Sequence, residues 1–214
     1  MSSIAQTMMG NPVFSQVYER AWRPLFTRGF SLGASDTVDY DRALRAYLAR
    51  PGERAVLDIA CGPGNYSADA SRGLTGDGRY IGIDFSASMM AQAVRDNSAD
   101  RVAFLRGDAH HLPFADGTFD TVLCLAALYL IPDPLSVLDE MARVCAPGGE
   151  TIVFTTSRTS IAALPGANTL TALSGLRIFG VHEITERFTA LGMTHVEQTI
   201  TGVGQFVHAR RPAE

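Results

Sequence analysis

The stretch that decides the fold is Val56-Leu57-Asp58-Ile59-Ala60-Cys61-Gly62-Pro63-Gly64-Asn65-Tyr66-Ser67. Its first half is almost continuously apolar, which is typical of a parallel strand buried on both faces. Asp58 interrupts this run, and a carboxylate near the end of a buried strand needs donors, so we expect it to face loop amides or a cationic group of a ligand. The stretch predicts a strand that ends at a nucleotide-type binding site.

The turn after this strand contains two glycines, Gly62 and Gly64. Glycine has no Cβ, so the backbone can take unusual dihedral angles and a ligand can approach the main chain closely. Pro63 stiffens the turn, and we expect a helix from about Asn65 whose positive end points back at it. A tight turn needs glycine whether or not anything binds, so the turn alone fits a structural role as well as a binding site.

Two later strand-like runs also end at a carboxylate: Arg79–Asp84 and Val102–Ala109, the second containing Asp108. Asp84 follows the glycine turn at about the separation at which an acid binds the two hydroxyls of a ribose. The carboxyl ends of neighbouring parallel strands meet at one crevice, where open α/β sheets bind ligands. We therefore expect Asp58, Asp84 and Asp108 to surround one ligand.

Five ordered motifs in roughly residues 50 to 156 make the chain similar to a known family. It resembles the class I S-adenosylmethionine-dependent methyltransferases, most closely the small-molecule branch called type 11 or UbiE-like. The motifs are Asp58-Ile59-Ala60-Cys61-Gly62-Pro63-Gly64, Ile83-Asp84-Phe85-Ser86, Gly107-Asp108-Ala109-His110-His111-Leu112-Pro113-Phe114, Phe119-Asp120 and Arg143-Val144-Cys145-Ala146-Pro147-Gly148-Gly149.

The resemblance implies an α/β fold, a Rossmann-like three-layer sandwich. Its seven-stranded, mostly parallel sheet has the order 3-2-1-4-5-7-6, with strand 7 antiparallel. The residue patterns agree, because helical periodicity alternates with strands and the chain ends in two strands that are antiparallel to each other. The predicted later elements are helices over Asn65–Arg72, Ala87–Asn97, Leu135–Val144 and His182–Leu191, and strands over Thr151–Thr155, Thr194–Ile200 and Gln205–Ala209.

We divide the chain into an N-terminal helical cap, residues 1–45, and a methyltransferase domain, residues 46–214, which together form one structural domain. An insertion near 157–180, rich in small residues, is expected to cover the acceptor pocket. Aromatic residues at helical spacing in residues 11–30 fit plain packing. They also fit a cap in which Tyr18 reaches the methionine carboxylate and Trp22 or Phe26 lines an apolar acceptor site.

The resemblance implies S-adenosyl-L-methionine as cofactor and gives a role to each matching residue. The loop from Asp58 through Ala60 and Gly62 to Gly64 would hold the methionine part, with Asp58 oriented toward its amino group; relatives often have glycine at the position of Ala60. Asp84 would accept both ribose hydroxyls. The other implied contacts are Phe85 and Met89 on the adenine, Asp108 at its amino group, the Ala109 backbone N–H at a ring nitrogen, and Leu125 and Ala126 at the methyl end.

Methyl transfer requires an aligned nucleophile in a dry site, and a phenol, enol or thiol acceptor must also lose a proton. Tyr129 follows Leu128 where many relatives have histidine, and we predict that its hydroxyl orients the acceptor, with packing as the alternative. His182 would face the acceptor or cap a helix. The remaining histidines are weak candidates, because His110 and His111 fall at the adenine and His195 and His208 in the terminal strands. Beyond the carboxylates already assigned, no oxygen cluster predicts a metal site.

Composition excludes several classes of protein. With 214 residues, 46% hydrophobic and 19% charged, the chain is that of a globular domain. A formal charge of −4 without a basic run argues against nucleic acid as a partner. We expect neither a secretory signal nor a membrane span, and three cysteines without metal spacing suit structural roles in a reducing cytoplasm. The expected partner is a small-molecule acceptor, and the sequence is compatible with a monomer or a homodimer.

Two other functions use similar motifs. A nicotinamide-dependent oxidoreductase is disfavoured by Asp58 within the strand, by Ala60 at the first glycine position and by the lack of any lysine for a Tyr-Lys catalytic pair. A non-catalytic S-adenosylmethionine-binding regulatory protein would keep the same motifs, so turnover alone separates it from an enzyme. The resemblance favours a lipophilic, phenolic or quinone-like acceptor, methylated on O, C, N or S.

Overall fold

A computed structural model describes residues 36–158 and 177–213, and side chains are described from residue 39 onward. In this part of the chain, seven strands form one sheet of order β3-β2-β1-β4-β5-β7-β6. The strands are β1 (Ala55–Ile59), β2 (Arg79–Asp84), β3 (Val102–Arg106), β4 (Phe119–Leu125), β5 (Cys145–Thr156), β6 (Thr194–Thr201) and β7 (Gly204–Arg210). The helices are α1 (Asp36–Leu48), α2 (Ser67–Gly73), α3 (Ala87–Asn97), α4 (Pro134–Val144) and α5 (Glu183–Ala190), with a 3-10 turn, η1, at Leu128–Leu130.

The predicted topology is confirmed. Strands β1 to β5 pair in parallel, whereas β7 pairs antiparallel with both β5 and β6. The parallel strands are joined by crossovers, so their carboxyl ends all lie along one edge of the sheet. The order changes direction between β1 and β4, which defines the crevice where open α/β sheets bind ligands.

Side chains alternate between two apolar layers, one on each face of the sheet. On β1, Leu57 and Ile59 belong to the larger core with α4 and α5, whereas Val56 packs with Leu48 of α1 and Ala70 of α2. All five of these side chains are fully buried. Burial on both faces explains the nearly continuous apolar run in the sequence and gives the predicted three-layer sandwich.

Most predicted boundaries agree with the structure to within one residue, and the larger differences are as follows. Strand β3 ends at Arg106, three residues before the end of the predicted run. The helix expected from Asn65 begins at Ser67 and has seven residues, because residues 62–66 form successive turns. Strand β5 begins at Cys145, six residues before the predicted start, because Phe119 pairs with Cys145 across a bulge. Helix α1 was not predicted, and it spans the proposed boundary at residue 45. The division into cap and domain stays a prediction, and residues 1–35 and 159–176 lie outside the described part.

The amino ends of the strands hold a buried carboxylate, Glu150 on β5, whose side chain is 6% exposed. It accepts hydrogen bonds from the Tyr47 hydroxyl at 2.6 Å, Arg50 at 2.7 Å and Thr121 Oγ1 at 3.0 Å, and His208 Nε2 lies 3.0 Å away. Burial alone would raise the pKa of Glu150, but these partners outweigh it and lower the pKa to about 2. Glu150 thus ties α1 to three strands of the sheet.

We expect the free energy of unfolding to decrease as pH is lowered, because Glu150 becomes protonated. A carboxylate with a lowered folded-state pKa stabilises the fold above its unfolded pKa, near 4.5, and the contribution disappears as pH falls toward 2. Glu150→Gln should lower the free energy of unfolding by about 3 kcal/mol at pH 7 and flatten this acid-side loss. Denaturant titrations between pH 7 and 3 measure both effects, with exposed Glu53→Gln as the control. Equal losses in the two variants would contradict the assignment.

Candidate functional site

The crevice between β1 and β4 is bordered by two strained backbone positions. Ala60, directly after β1, has a φ of 54°, and Ala126, directly after β4, has a φ of 56°. This left-handed conformation is costly for a residue with a Cβ and is concentrated at functional sites. Both alanines are predicted cofactor contacts, and no pattern in the sequence predicted the strained backbone at Ala126.

Asp84, at the end of β2, joins two loops through its carboxylate. Its Oδ2 accepts the N–H of Gly62 at 2.9 Å, and its Oδ1 accepts the N–H of Ser86 at 2.8 Å. Burial raises the pKa of Asp84, and the two amides oppose that rise. Because each oxygen receives one of these amides, each keeps a second acceptor position, which is the requirement for binding a pair of vicinal hydroxyls.

Asp58 is buried within the sheet, where it is 1% exposed, and it receives a donor that the sequence did not indicate. The hydroxyl of Tyr80, on β2, lies 2.6 Å from Asp58 Oδ2. Burial and the nearby Asp58 raise the pKa of Tyr80 well above its ordinary value, so the phenol stays protonated and donates. Tyr80 therefore fixes this carboxylate at the end of β1.

The glycines near the site serve two different purposes. A Cβ on Gly64 would lie 2.7 Å from the ring of Phe104, and a Cβ on Gly82 would lie 2.7 Å from the sulfur of Cys61. Gly62 is different, because a Cβ there would meet no atom of the described residues within 4 Å. Packing thus explains Gly64 and Gly82, whereas Gly62 has no such neighbour among the described residues and presents its N–H to Asp84.

Asp108, after β3, is half-exposed and is held by the residue two positions later. Its Oδ1 accepts the backbone N–H of His110 at 3.0 Å and lies 2.6 Å from His110 Nδ1. The other ring nitrogen, Nε2, lies 2.6 Å from the carbonyl oxygen of Pro132 in the loop between η1 and α4. The predicted adenine-side loop is therefore connected to the loop that follows Tyr129.

The other predicted cofactor contacts lie near this edge of the sheet with different exposures. Phe85 is 59% exposed, with the Arg106 guanidinium 5.8 Å from its ring centre, whereas Met89 on α3 is 4% exposed. Leu125 ends β4 and is 9% exposed, and Ala109 is partly buried. Their assignment to the cofactor stays a prediction.

The predicted catalytic residues lie in different environments. Tyr129 is 3% exposed within the larger core, and its carbonyl accepts the N–H of Arg177. His182 is exposed at the position before α5, where its carbonyl, and not its ring, accepts hydrogen bonds from the first turn. Both roles stay predictions, and Tyr18 lies outside the described residues.

The described residues include three buried cysteines, and they contain neither a metal-binding cluster nor a membrane-spanning helix. Cys61, Cys124 and Cys145 are free and buried, and burial raises the pKa of each thiol. Residues 36–158 and 177–213 contain no cluster of three His, Cys, Asp or Glu side chains that could hold a metal ion. Among the same residues no helix is long and apolar enough to cross a membrane.

Arg143, on α4, orders a loop beside the site, a role that the sequence did not predict although the residue lies in one of the motifs. Its guanidinium donates to Glu140, to Asp116 and to the carbonyls of Leu112 and Phe114, and Glu140 accepts the N–H of Leu112. The connection between β3 and β4 contains no helix, so Arg143 supplies much of its order. The motif that contains Arg143 was the sign of this role in the sequence. The carbonyls that accept hydrogen bonds from Arg143 could not be identified there, because they lie some thirty positions earlier in the chain.

These features are those of the class I methyltransferase fold, with acidic residues at or just after the ends of three parallel strands and a glycine turn at the switch point. Residues 56–149 match the family model described as a methyltransferase domain. The predicted resemblance to class I S-adenosylmethionine-dependent methyltransferases is thereby confirmed.

Similar proteins agree with this class. The chain is 36% identical over 121 residues to demethylmenaquinone methyltransferase of Bacillus subtilis (strain 168), a match that covers 55% of this chain and 52% of that protein. The chain spans about half the length of the curated relatives it matches.

Solved structures show the same fold at lower identity. Haemonchus contortus phosphoethanolamine N-methyltransferase 2, in complex with S-adenosyl-L-methionine, has a TM-score of 0.73 at 16% identity, covering 94% of this chain and 57% of that one. The [4+2]-cyclase SpnF has a TM-score of 0.67 at 20% identity, covering 84% and 82%. Because a cyclase shares the fold, function has to be argued from the site.

The two glycines of the turn should respond differently to alanine. Gly62 and Gly64 have φ values of 56° and 82°, so alanine costs about 1 kcal/mol at either position. Gly64→Ala should cost roughly 2 kcal/mol more because its Cβ meets the ring of Phe104. Denaturant unfolding of both variants measures the difference, and Phe104→Leu should recover part of the Gly64→Ala loss. Equal destabilisation would show that packing does not require Gly64.

Proposed function

We propose that the protein is an S-adenosylmethionine-dependent methyltransferase that transfers a methyl group to a small lipophilic or aromatic molecule. The observation that carries this proposal is the Asp84 carboxylate, which is fixed by the Gly62 and Ser86 amides and keeps one acceptor position on each oxygen. That arrangement suits a ribose, and it adjoins Gly62, where no other described residue would contact an added Cβ.

The residues present fit this cofactor. Asp84 would hold the ribose hydroxyls, Phe85 has an exposed face for the adenine, and Asp108 would accept the adenine amino group. Asp58, fixed by Tyr80, would accept from the methionine amino group. The remaining proposed contacts are Tyr18, Ala60, Gly62, Gly64, Met89, Ala109, Leu125 and Ala126. When bound, the cofactor supplies a methyl group already activated on a sulfonium.

The protein's own part in the reaction is binding, alignment and exclusion of water. The residues at and after the end of β4 are apolar and largely buried, Leu125 being 9% and Ala127 8% exposed, and they would exclude water from the methyl end of the site. A phenolic or enolic acceptor also needs to lose a proton. Among the described residues we propose Tyr129 for orienting the acceptor and His182 as a weaker candidate for proton transfer.

The acceptor is proposed from the relatives and the surroundings of the site. The curated relatives quoted above methylate demethylmenaquinone, as their name states, which supports a quinol-like or phenolic acceptor. The net charge of −4 supports a small molecule over a nucleic acid. We also propose a reducing, cytoplasmic setting, supported by the three buried free thiols. Either a monomer or a homodimer is compatible with this function.

Cofactor binding should depend on Asp84. Calorimetric titration of the full chain with S-adenosylmethionine and with S-adenosylhomocysteine should show micromolar binding, which Asp84→Ala should weaken by at least about a hundredfold because two charge-assisted hydrogen bonds are lost. Asp77→Ala, at an exposed position before the amino end of β2, is the control and should bind normally. Failure of the unmodified protein to bind either compound would overturn the proposed function.

Turnover should depend on the Tyr129 hydroxyl. With radiolabelled methyl donor and a panel of phenols, quinols and amines, Tyr129→Phe should lower kcat about tenfold or more on the preferred acceptor and leave cofactor affinity unchanged. An unchanged kcat would assign Tyr129 to packing alone, which its 3% exposure would then explain. Cofactor binding without turnover on any acceptor would favour the regulatory alternative.

A further inference from the structure

The ring of His110 lies between two acceptors from separate loops. Nδ1 is 2.6 Å from Asp108 Oδ1, and Nε2 is 2.6 Å from the carbonyl oxygen of Pro132. A carbonyl oxygen has no proton to give, so Nε2 must carry one. An ionised carboxylate is likewise only an acceptor, so Nδ1 must carry one as well. A neutral imidazole has a single N–H and cannot satisfy both contacts.

From this geometry we infer that His110 is a doubly protonated positioning residue that orients Asp108 for the cofactor and connects it to the loop after Tyr129. The inference rests on the proposed function, in which Asp108 receives the adenine amino group. His110 fills Oδ1 twice, through its backbone N–H and its ring. Oδ2 is left as the oxygen directed to a ligand, with His111 Nδ1 at 3.8 Å.

The second contact reaches a strained part of the chain. Pro132 precedes Asp133, whose φ is 43° and which immediately precedes α4. The described segment before it contains Tyr129 on η1. A single side chain therefore connects the proposed adenine side of the site with the proposed acceptor side. The ring is 21% exposed, so solvent weakens these contacts only in part.

The charges around the ring agree with this protonation state. Burial alone would lower the pKa of His110, but the Pro132 carbonyl and the carboxylates of Asp108 and Asp133 raise it overall. Burial would raise the pKa of Asp108, and His110 with His111 lowers it. A raised histidine pKa means that the contact is complete below the ordinary value of 6.5 and is lost as pH rises through the folded-state value.

The first test observes the ring directly. In the full chain labelled with ¹⁵N-histidine, NMR should show both ring nitrogens of His110 protonated at pH 7, with His110→Gln identifying the signals. His111, whose side chain is 87% exposed, serves as the internal reference for the ring signals. A neutral His110 ring at pH 7 would overturn the inference, whether or not the protein binds the cofactor.

The second test measures S-adenosylhomocysteine binding by calorimetry from pH 6 to 9. Affinity of the unmodified protein should fall about tenfold more across this range than that of His110→Gln, in which an uncharged amide replaces the imidazolium. The ligand's own amino group titrates equally in both measurements, so the difference isolates His110. His195→Asn, at an exposed position on β6, is the control and should behave as the unmodified protein does, with matched thermal unfolding checked for all variants.

The outcomes separate this inference from the proposed function. Parallel pH profiles for the unmodified protein and His110→Gln, with Asp84→Ala still abolishing binding, would overturn the positioning role and leave the methyltransferase proposal intact. Absence of binding in the unmodified protein at every pH would overturn the proposed function itself. A steeper profile in the unmodified protein, together with a doubly protonated ring, would support both.

Discussion

A carboxylate removed from water must be given hydrogen-bond donors, and this constraint shapes the sheet at both ends. At the amino ends, Glu150 collects donors from α1 and the neighbouring strands. At the carboxyl ends, Tyr80 satisfies Asp58, and the Gly62 amide satisfies Asp84. The first arrangement fixes a helix to the sheet, whereas the second fixes two acidic groups at the ends of β1 and β2, where we propose that the cofactor binds.

The carboxylates at the two ends of the strands differ in how many hydrogen bonds they already accept. Glu150 has four polar neighbours within 3.0 Å, so its oxygens are committed to the fold. Asp84 accepts a single backbone amide on each oxygen and is partly buried, which keeps both oxygens usable. The same residue chemistry therefore stabilises the protein at one edge and, in the proposed function, holds the ribose at the other.

Much of this could be predicted from the sequence because it depends on local patterns. Strand β2 and helix α3 were predicted at their observed boundaries, since apolar runs and helical spacing leave clear edges there. The partner of Asp58 could not be predicted, because Tyr80 reaches it only through the pairing of two strands 22 residues apart. The start of β5 was missed since Pro147 and Gly148 usually end regular structure, yet the strand passes through them beside a bulge.

The connection between β3 and β4 has a consequence for motion. Its backbone forms no helix. Its order depends on hydrogen bonds with the Arg143 guanidinium and the Glu140 carboxylate of α4. Segments whose amides are protected by another element open together with that element. The loop that bears Asp108 should therefore form one cooperative opening unit with α4, and not with the strand it follows, so local unfolding of this helix would release one side of the crevice while the central strands stay paired.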